Sequence, residues 1–138
     1  MSGWIFSDYH NKFDNTDNNI VIFGHNTHDG SMFGTLKNTL SENWQKNEDN
    51  LKIVLVTEKN TYYYQVFSTY EINPEKYYIK TEFKNIEEVG EFINKVKARS
   101  NHNYNIKVKS SDKILTLSSC TSSGTKRVVL HAKLIKNE

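Results

Sequence analysis

One cysteine and five histidines are the residues of this 138-residue sequence best suited to covalent chemistry. Cys120 ends the segment KILTLSSC and precedes the polar stretch TSSGTK, so we expect it where a strand meets a flexible turn. A structural cysteine normally lies inside an apolar run, whereas this position is accessible. Cys120 is therefore a candidate nucleophile. Because a thiol with an ordinary pKa near ~8.5 needs a base or a nearby positive charge, a histidine partner is expected.

The histidines differ in their sequence context. His25 is the preferred partner because it also follows an apolar segment, NIVIFG, in the short sequence GHN. His10 and His102 stand among asparagines in polar stretches, and we expect both to be solvated. His28, in the loop sequence THDG, and His131, within the last predicted strand, have a mainly structural interpretation.

Arg127 begins the last predicted strand, a short connection after Cys120. A connection of this length predicts antiparallel neighbours, which would bring Arg127 near Cys120. Strand alternation puts Cys120 on one face with Thr116 and Ser118, and Arg127 on one face with His131, so both could line one outer groove. An arginine there could donate hydrogen bonds to a substrate carbonyl or to an oxyanion. From spacing alone, a solvated charge at a strand end is the favoured alternative.

The elements that would position these residues are mostly strands. Segments rich in β-branched and aromatic residues predict five strands, and WIFSDY near the start allows a sixth. Two helices are predicted between them, over 31–43 and 86–99, and the second has one apolar face with acidic residues first and basic residues last. Strands paired mostly in sequence with two inserted helices favour a mostly β, antiparallel-dominated barrel or sandwich over a parallel α/β fold. The strands centre on Val21, Val54, Val66, Leu115 and Leu130.

Composition restricts the function classes. The chain has the size of one domain, and 36% hydrophobic and 12% aromatic residues supply enough material for a core. A net charge of +2 without a basic cluster argues against nucleic-acid binding. No apolar run reaches the ~20 residues of a membrane span and no signal segment is visible, so a soluble chain is expected. One cysteine excludes an internal disulfide, His28 and Asp29 are too few for a metal site, and no cofactor motif is present.

Four separated strings, NIVIFGHN, DGSMFGTL, DKILTLSSC and TKRVVLHAKLI, occur in the order of the signatures of class B sortases. The chain resembles this family from about Trp4 to Ile135, including the helix-bearing insertion before the cysteine strand. The resemblance implies a sortase-like β-barrel and a cysteine transpeptidase that joins surface proteins to the cell wall of Gram-positive bacteria.

The resemblance also implies roles for individual residues. Cys120 would attack the threonine carbonyl of a sorting signal similar to Asn-Pro-x-Thr-x, His25 would protonate the leaving amine, and Arg127 would hold the signal or the oxyanion. An amine of a peptidoglycan precursor or cross-bridge would then resolve the thioester. Four further residues match positions that line the signal groove or flank the nucleophile: Tyr78, Ile79, Ser118 and Ser119.

The chain departs from the family pattern in two ways. Ser119 replaces the usual threonine before the cysteine, which keeps the hydroxyl. The family normally begins with a membrane anchor, helices and further strands, and acts at the extracytoplasmic face of the membrane, so residues 1–138 are interpreted as one catalytic domain without those parts. An incomplete barrel would expose strand edges and favour self-association.

Two alternatives to an active transpeptidase stay open. The chain could be an inactive truncated sortase that keeps the site residues, or a small β-barrel binding module in which Cys120 is incidental. Thiol reactivity separates them, because an activated Cys120 would alkylate at lower pH than a free thiol and replacement of His25 would change that profile.

Overall fold

The computed structural model describes residues 4–7, 19–24, 39–56, 61–75, 77–79, 83–120 and 126–137. The strands are β1 Trp4–Ser7, β2 Asn19–Gly24, β3 Lys52–Val56, β4 Thr61–Ile72, β5 Ile114–Cys120 and β6 Arg127–Asn137. The helices are α1 Glu42–Lys46 and α2 Ile86–Arg99, with short 3-10 segments at Glu48–Leu51 and Tyr77–Ile79. Within these ranges, no helix combines the length and apolar character needed to cross a bilayer.

The strands form one mixed sheet in the order β1-β3-β4-β6-β5-β2. The pairs β3–β4, β4–β6 and β5–β6 are antiparallel, whereas β1–β3 and β2–β5 are parallel. The prediction of a mostly β, antiparallel-dominated fold with two helices is thereby confirmed. The prediction that strands pair mostly in sequence is wrong, because β1 and β2 pair with strands that come much later in the chain.

The second predicted helix is confirmed with its boundaries. The side chain of Asn85 accepts a hydrogen bond from the amide of Glu88 at 2.9 Å and so caps the first turn of α2. The face of α2 that packs on the sheet consists of Val89, Phe92, Ile93 and Val96. These residues recur at steps of three and four, which is the spacing that predicted the helix.

The first predicted helix only partly overlaps α1. The prediction covered 31–43, but α1 occupies Glu42–Lys46, and 31–38 lie outside the described residues. Ser41 begins the helix because its hydroxyl accepts a hydrogen bond from the amide of Trp44 at 3.2 Å.

Buried side chains form two cores on the two faces of the sheet. The sheet core, on the face away from α2, consists of Ile53, Leu55, Tyr62, Tyr64, Val66, Tyr104, Leu115, Leu117, Val128, Leu130 and Ala132. The helix-side core, between the sheet and α2, consists of Phe67, Tyr70, Tyr78, Val89, Phe92, Ile93, Val96, Ile114 and Val129.

The second face of β5 is buried, which corrects one expectation. Leu115 and Leu117 lie in the sheet core as alternation predicts. Thr116 and Ser118, expected on an outer face, are only 0% and 1% exposed. The same is true of His131, whose ring centroid lies 5.9 Å from that of Phe92. Since α2 covers this part of the sheet, the outer-groove interpretation is wrong for these residues.

A bulge in β4 decides which residues face α2. Val66 pairs with Ala132, and Ser68 pairs with His131. Because Ala132 and His131 are consecutive in β6, Phe67 is left as the extra residue of the bulge in β4. An extra residue reverses the alternation beyond it. Tyr70 therefore belongs to the helix-side core, where it faces His131, whereas before the bulge Tyr62, Tyr64 and Val66 belong to the sheet core.

Candidate active site

Cys120 and Arg127 are neighbours in the sheet. Cys120 is the last residue of β5, Arg127 is the first residue of β6, and the two are Cα partners in the antiparallel pair. The sequence-based prediction that these strands are antiparallel neighbours is confirmed. Arg127 is half-buried, and its guanidinium donates a hydrogen bond to the carbonyl of Lys126 at 3.3 Å. The backbone of Cys120 is described, whereas its side chain lies outside the described part of the structure.

The strand that leads to His25 lies on the other side of β5. β2 runs parallel to β5, and its last residue, Gly24, is the Cα partner of Ser119. His25 and Cys120 are the residues that follow these partners in the sequence. His25 itself lies outside the described residues. Parallel strands end at the same edge of a sheet, so β2 and β5 both direct the chain towards one end of the molecule.

The predicted substrate-binding residues are partly brought together. The hydroxyl of Tyr78 lies 3.1 Å from the hydroxyl of Ser118, so these two side chains share a hydrogen bond. Tyr78, Ser118 and Ser119 are all buried, at 2%, 1% and 3% exposure. Ile79 belongs to the same 3-10 segment as Tyr78, and its side chain lies outside the described part. Tyr78 and Ser118 therefore meet beneath the surface in this structure.

A network of buried polar side chains extends below Ser118. The hydroxyl of Thr116 donates to Oδ1 of Asn19 at 2.6 Å and lies 2.8 Å from Nδ1 of His131. On the other side of the ring, Nε2 of His131 lies 2.7 Å from the hydroxyl of Tyr70. The guanidinium carbon of Arg99, at the end of α2, lies 6.0 Å from the centroid of the Tyr70 ring. Residues of β4, β5 and α2 thus contact the imidazole of His131 on β6, and β2 is joined to it through Thr116.

The chemistry of these groups fixes the donors and acceptors. An amide oxygen only accepts, so the Thr116 hydroxyl uses its proton on Asn19 and its oxygen accepts from Nδ1–H of His131. A neutral ring protonated at Nδ1 has a lone pair at Nε2, to which Tyr70 donates. Complete burial, with a smaller contribution from the charge of Arg99, lowers the pKa of His131 to about 3. The ring is therefore neutral at physiological pH.

Comparison with known proteins decides the family. The family model of the sortase domain matches residues 2–135. The chain belongs to the sortase family. Sortase B of Staphylococcus aureus is 35% identical over 138 residues, covering 97% of this chain and 55% of that protein.

Two solved structures agree with this assignment to class B. The Staphylococcus aureus sortase B-substrate complex has a TM-score of 0.81 at 33% identity and covers 91% of this chain and 59% of that chain. A crystal structure of sortase B complexed with Gly3 has a TM-score of 0.81 at 33% identity, over 94% of this chain and 61% of that chain. The sortase-like fold predicted from the sequence is confirmed. This sortase spans 55% of the length of the Staphylococcus aureus sortase B sequence.

The buried imidazole predicts acid sensitivity for this sortase. The unfolded chain binds a proton at His131 below pH ~6.5, whereas the folded chain does so only near pH 3. Since the unfolded state binds more protons between these values, the free energy of unfolding should fall as the pH falls through this window. At pH 5 the loss from this group is about 2 kcal/mol, from about 1.4 kcal/mol per pH unit.

Urea unfolding at pH 7.5 and pH 5.0 measures this effect. We expect His131→Gln to have a lower free energy of unfolding than the wild type at pH 7.5. Between pH 7.5 and pH 5.0, however, its free energy of unfolding should decrease by about 2 kcal/mol less than that of the wild type. The difference between the two proteins cancels the contributions of the other titrating groups. Equal losses in both proteins would show that His131 is not the group responsible.

The sequence interpretation missed the partners in this network. Asn19, Thr116 and Tyr70 were not candidates, and His131 had only a structural interpretation, with which its burial agrees. The partners are far apart in the chain, with 97 positions between Asn19 and Thr116 and 61 between Tyr70 and His131. The one available signal was a set of polar residues on alternate positions of a strand, a pattern that normally predicts a solvated face. His102, expected in solvent, is half-buried against the ring of Tyr104.

Proposed function

We propose that this sortase is a cysteine transpeptidase with Cys120 as its nucleophile. The Cys120 thiolate attacks the threonine carbonyl of a sorting signal similar to Asn-Pro-x-Thr-x. The peptide bond after threonine breaks, the leaving amine takes its proton from His25, and the signal stays on Cys120 as a thioester. An amine of a peptidoglycan precursor or cross-bridge then attacks the thioester and releases the thiol. The net reaction exchanges one amide bond for another.

The register of Cys120 with Arg127 is the observation that carries this proposal. Directly opposed residues of an antiparallel pair have Cβ atoms about 5 Å apart and side chains on the same face. A guanidinium at that distance can donate to the oxygen of a carbonyl group whose carbon is bonded to the cysteine sulfur, and to the oxyanion formed during attack. This register supports a role for Arg127 in stabilising the oxyanion.

The pairing of β2 with β5 supports the role of His25. Gly24 and Ser119 are Cα partners, and His25 and Cys120 are each the next residue along parallel strands. Successive Cα atoms are about 3.8 Å apart, so neither residue can lie far from that pair. This arrangement of the two strand ends supports proton exchange between the Cys120 thiol and the His25 imidazole, directly or through one water molecule.

Tyr78 and Ser118 would support the signal-binding surface from beneath. Their shared hydrogen bond joins the 3-10 segment to β5 two residues before Cys120. Ile79 and Ser119, the residues next to them, would then be held at fixed positions beside the nucleophile. The relatives with bound substrate and bound Gly3 are consistent with peptides as both the acyl donor and the acceptor. We infer that this reaction takes place at the extracytoplasmic face of the membrane.

Cleavage of a quenched fluorescent peptide tests the proposal. We expect the chain to cleave an Asn-Pro-x-Thr-x peptide and, when triglycine is added, to yield a product in which threonine is joined to glycine. A peptide with the same residues in scrambled order is the control and should stay intact. A folded chain that cleaves neither peptide would instead support the inactive-fragment alternative.

A further inference from the structure

One side-chain hydrogen bond joins the two strands that end beside the proposed active site. Thr116, four residues before Cys120 on β5, donates to Asn19, the first residue of β2, at 2.6 Å. Both side chains are fully buried. A hydrogen bond in such a dry environment is directional and costly to leave unmade. The bond therefore adds a fixed side-chain contact to the backbone pairing of β2 with β5.

Asn19 extends the network to the 3-10 segment. Its side-chain nitrogen donates to the carbonyl of Tyr78 at 3.5 Å, while the Tyr78 hydroxyl bonds to Ser118. One amide thus contacts β5 through its oxygen and the 3-10 segment through its nitrogen. The strand leading to His25, the strand ending at Cys120 and the segment carrying Ile79 meet at Asn19.

His131 connects this junction to the rest of the fold. Its Nδ1–H donates a hydrogen bond to the oxygen of the Thr116 hydroxyl, and its Nε2 accepts a hydrogen bond from the hydroxyl of Tyr70. The guanidinium of Arg99 lies over the ring of Tyr70, 6.0 Å from its centroid, and pairs with Glu75 through both terminal nitrogens. The orientation of the Thr116 hydroxyl is therefore set by a chain of contacts that ends at α2.

We propose that Thr116 and His131 are positioning residues for the transpeptidation reaction, which fix β2 against β5 and thereby the approach of His25 to Cys120. This role rests on the proposed function. A displacement of about 1 Å between catalytic groups can lower a rate roughly 10²-fold. A small loss of alignment here would therefore be visible in the kinetics.

Thr116→Val and Thr116→Ser form a matched pair for the test. Valine keeps the volume and branching of threonine but removes the hydroxyl, so Asn19 and His131 each lose a partner. Serine keeps the hydroxyl and loses one methyl group. Val96→Ala is the control for general loss of stability, because Val96 is fully buried in the helix-side core and has an apolar side chain.

Two readouts separate positioning from stability. We expect Thr116→Val to lower kcat/KM for the Asn-Pro-x-Thr-x peptide about 10²-fold relative to Val96→Ala, and Thr116→Ser to restore most of the loss. Amide hydrogen exchange within β2 should also be faster in Thr116→Val than in Val96→Ala. If Thr116→Val matches Val96→Ala in either readout, the positioning role is overturned.

The exchange measurement also distinguishes this inference from the proposed function. A wild-type chain that does not process the peptide contradicts the proposed function, and hydrogen exchange in β2 then decides alone whether the network positions the strand. If Thr116→Val does not fold, His131→Asn and His131→Gln provide a second pair of variants, one that keeps the hydrogen bond to Thr116 and one that removes it. Asparagine can place an N–H donor near the Nδ1 position and should preserve β2 protection, whereas glutamine cannot and should lose it.

Discussion

Replacing Cys120 with alanine is expected to reduce cleavage of an Asn-Pro-x-Thr-x peptide to background, a loss of about 10⁴-fold or more in kcat/KM. Cys120 is the sole cysteine of the chain, so no second thiol can take its place. Without the sulfur no thioester forms, and both cleavage and transfer to an amine should disappear together. The measurement is the rate of fluorescence increase with the quenched peptide, with and without triglycine.

Cys120→Ser is the matched control for the chemistry of the sulfur. It keeps the shape of the side chain, but its hydroxyl ionises far less readily than a thiol, so it should also be inactive. Thermal unfolding should show that both variants fold like the wild type. Substantial activity in folded Cys120→Ala would mean that the cysteine is incidental, as in the binding-module alternative.

Replacing Arg127 with alanine is expected to lower kcat/KM by about 10²–10³-fold, the typical loss when one oxyanion donor is removed. Arg127→Lys should recover only part of the activity, because an ammonium keeps the charge but lacks the planar array of donors. The measurement is the same peptide assay under conditions that give kcat and KM separately. A transition-state donor should affect kcat as well as KM.

Lys126→Ala is the control for loss of a positive charge at the same place. Lys126 is the preceding residue, is exposed, and lies 3.8 Å from the carboxylate of Glu71. Because surface ion pairs of this kind contribute little to stability, Lys126→Ala should fold like the wild type. We therefore expect this variant to stay close to wild-type activity. Equal activities of Arg127→Ala and Lys126→Ala would support the simpler interpretation of Arg127 as a solvated strand-end charge.

Local patterns in the sequence were sufficient to predict individual elements. The helix over 86–99 was found with its boundaries because its apolar residues share one face and its terminal charges match the helix dipole. Strand segments were found because β-branched and aromatic residues are concentrated in them. The first predicted helix, over 31–43, overlaps α1 only at 42–43, because Ser41, the residue that caps α1, was not recognised as a start signal.

The order of the strands in the sheet could not be predicted from such local patterns. β1 pairs with β3 and β2 pairs with β5, in parallel and over long stretches of chain. Parallel pairing leaves no short turn signal, and nothing in the composition of β2 identifies β5 as its neighbour. By contrast, the pairing of Cys120 with Arg127 could be predicted because a short connection joins the two strands.

The candidate site was likewise predicted only in part. Cys120, His25 and Arg127 were proposed from strand ends and from resemblance to a family, and Cys120 and Arg127 are neighbours in the sheet. The network around His131 could not be predicted, because it depends on the bulge in β4 that turns Tyr70 towards α2. Alternation then placed Thr116 on a face that sequence alone assigns to solvent.

Trapping the acyl-enzyme tests the central claim most directly. The chain would be mixed with an Asn-Pro-x-Thr-x peptide, quenched in acid after short times, and analysed by intact mass and peptide mapping. We predict an adduct with the mass of the peptide up to threonine, attached to Cys120 and released by triglycine or hydroxylamine. Peptide cleavage without such an adduct and without a threonine hydroxamate product, or an adduct on a residue other than Cys120, would contradict the account.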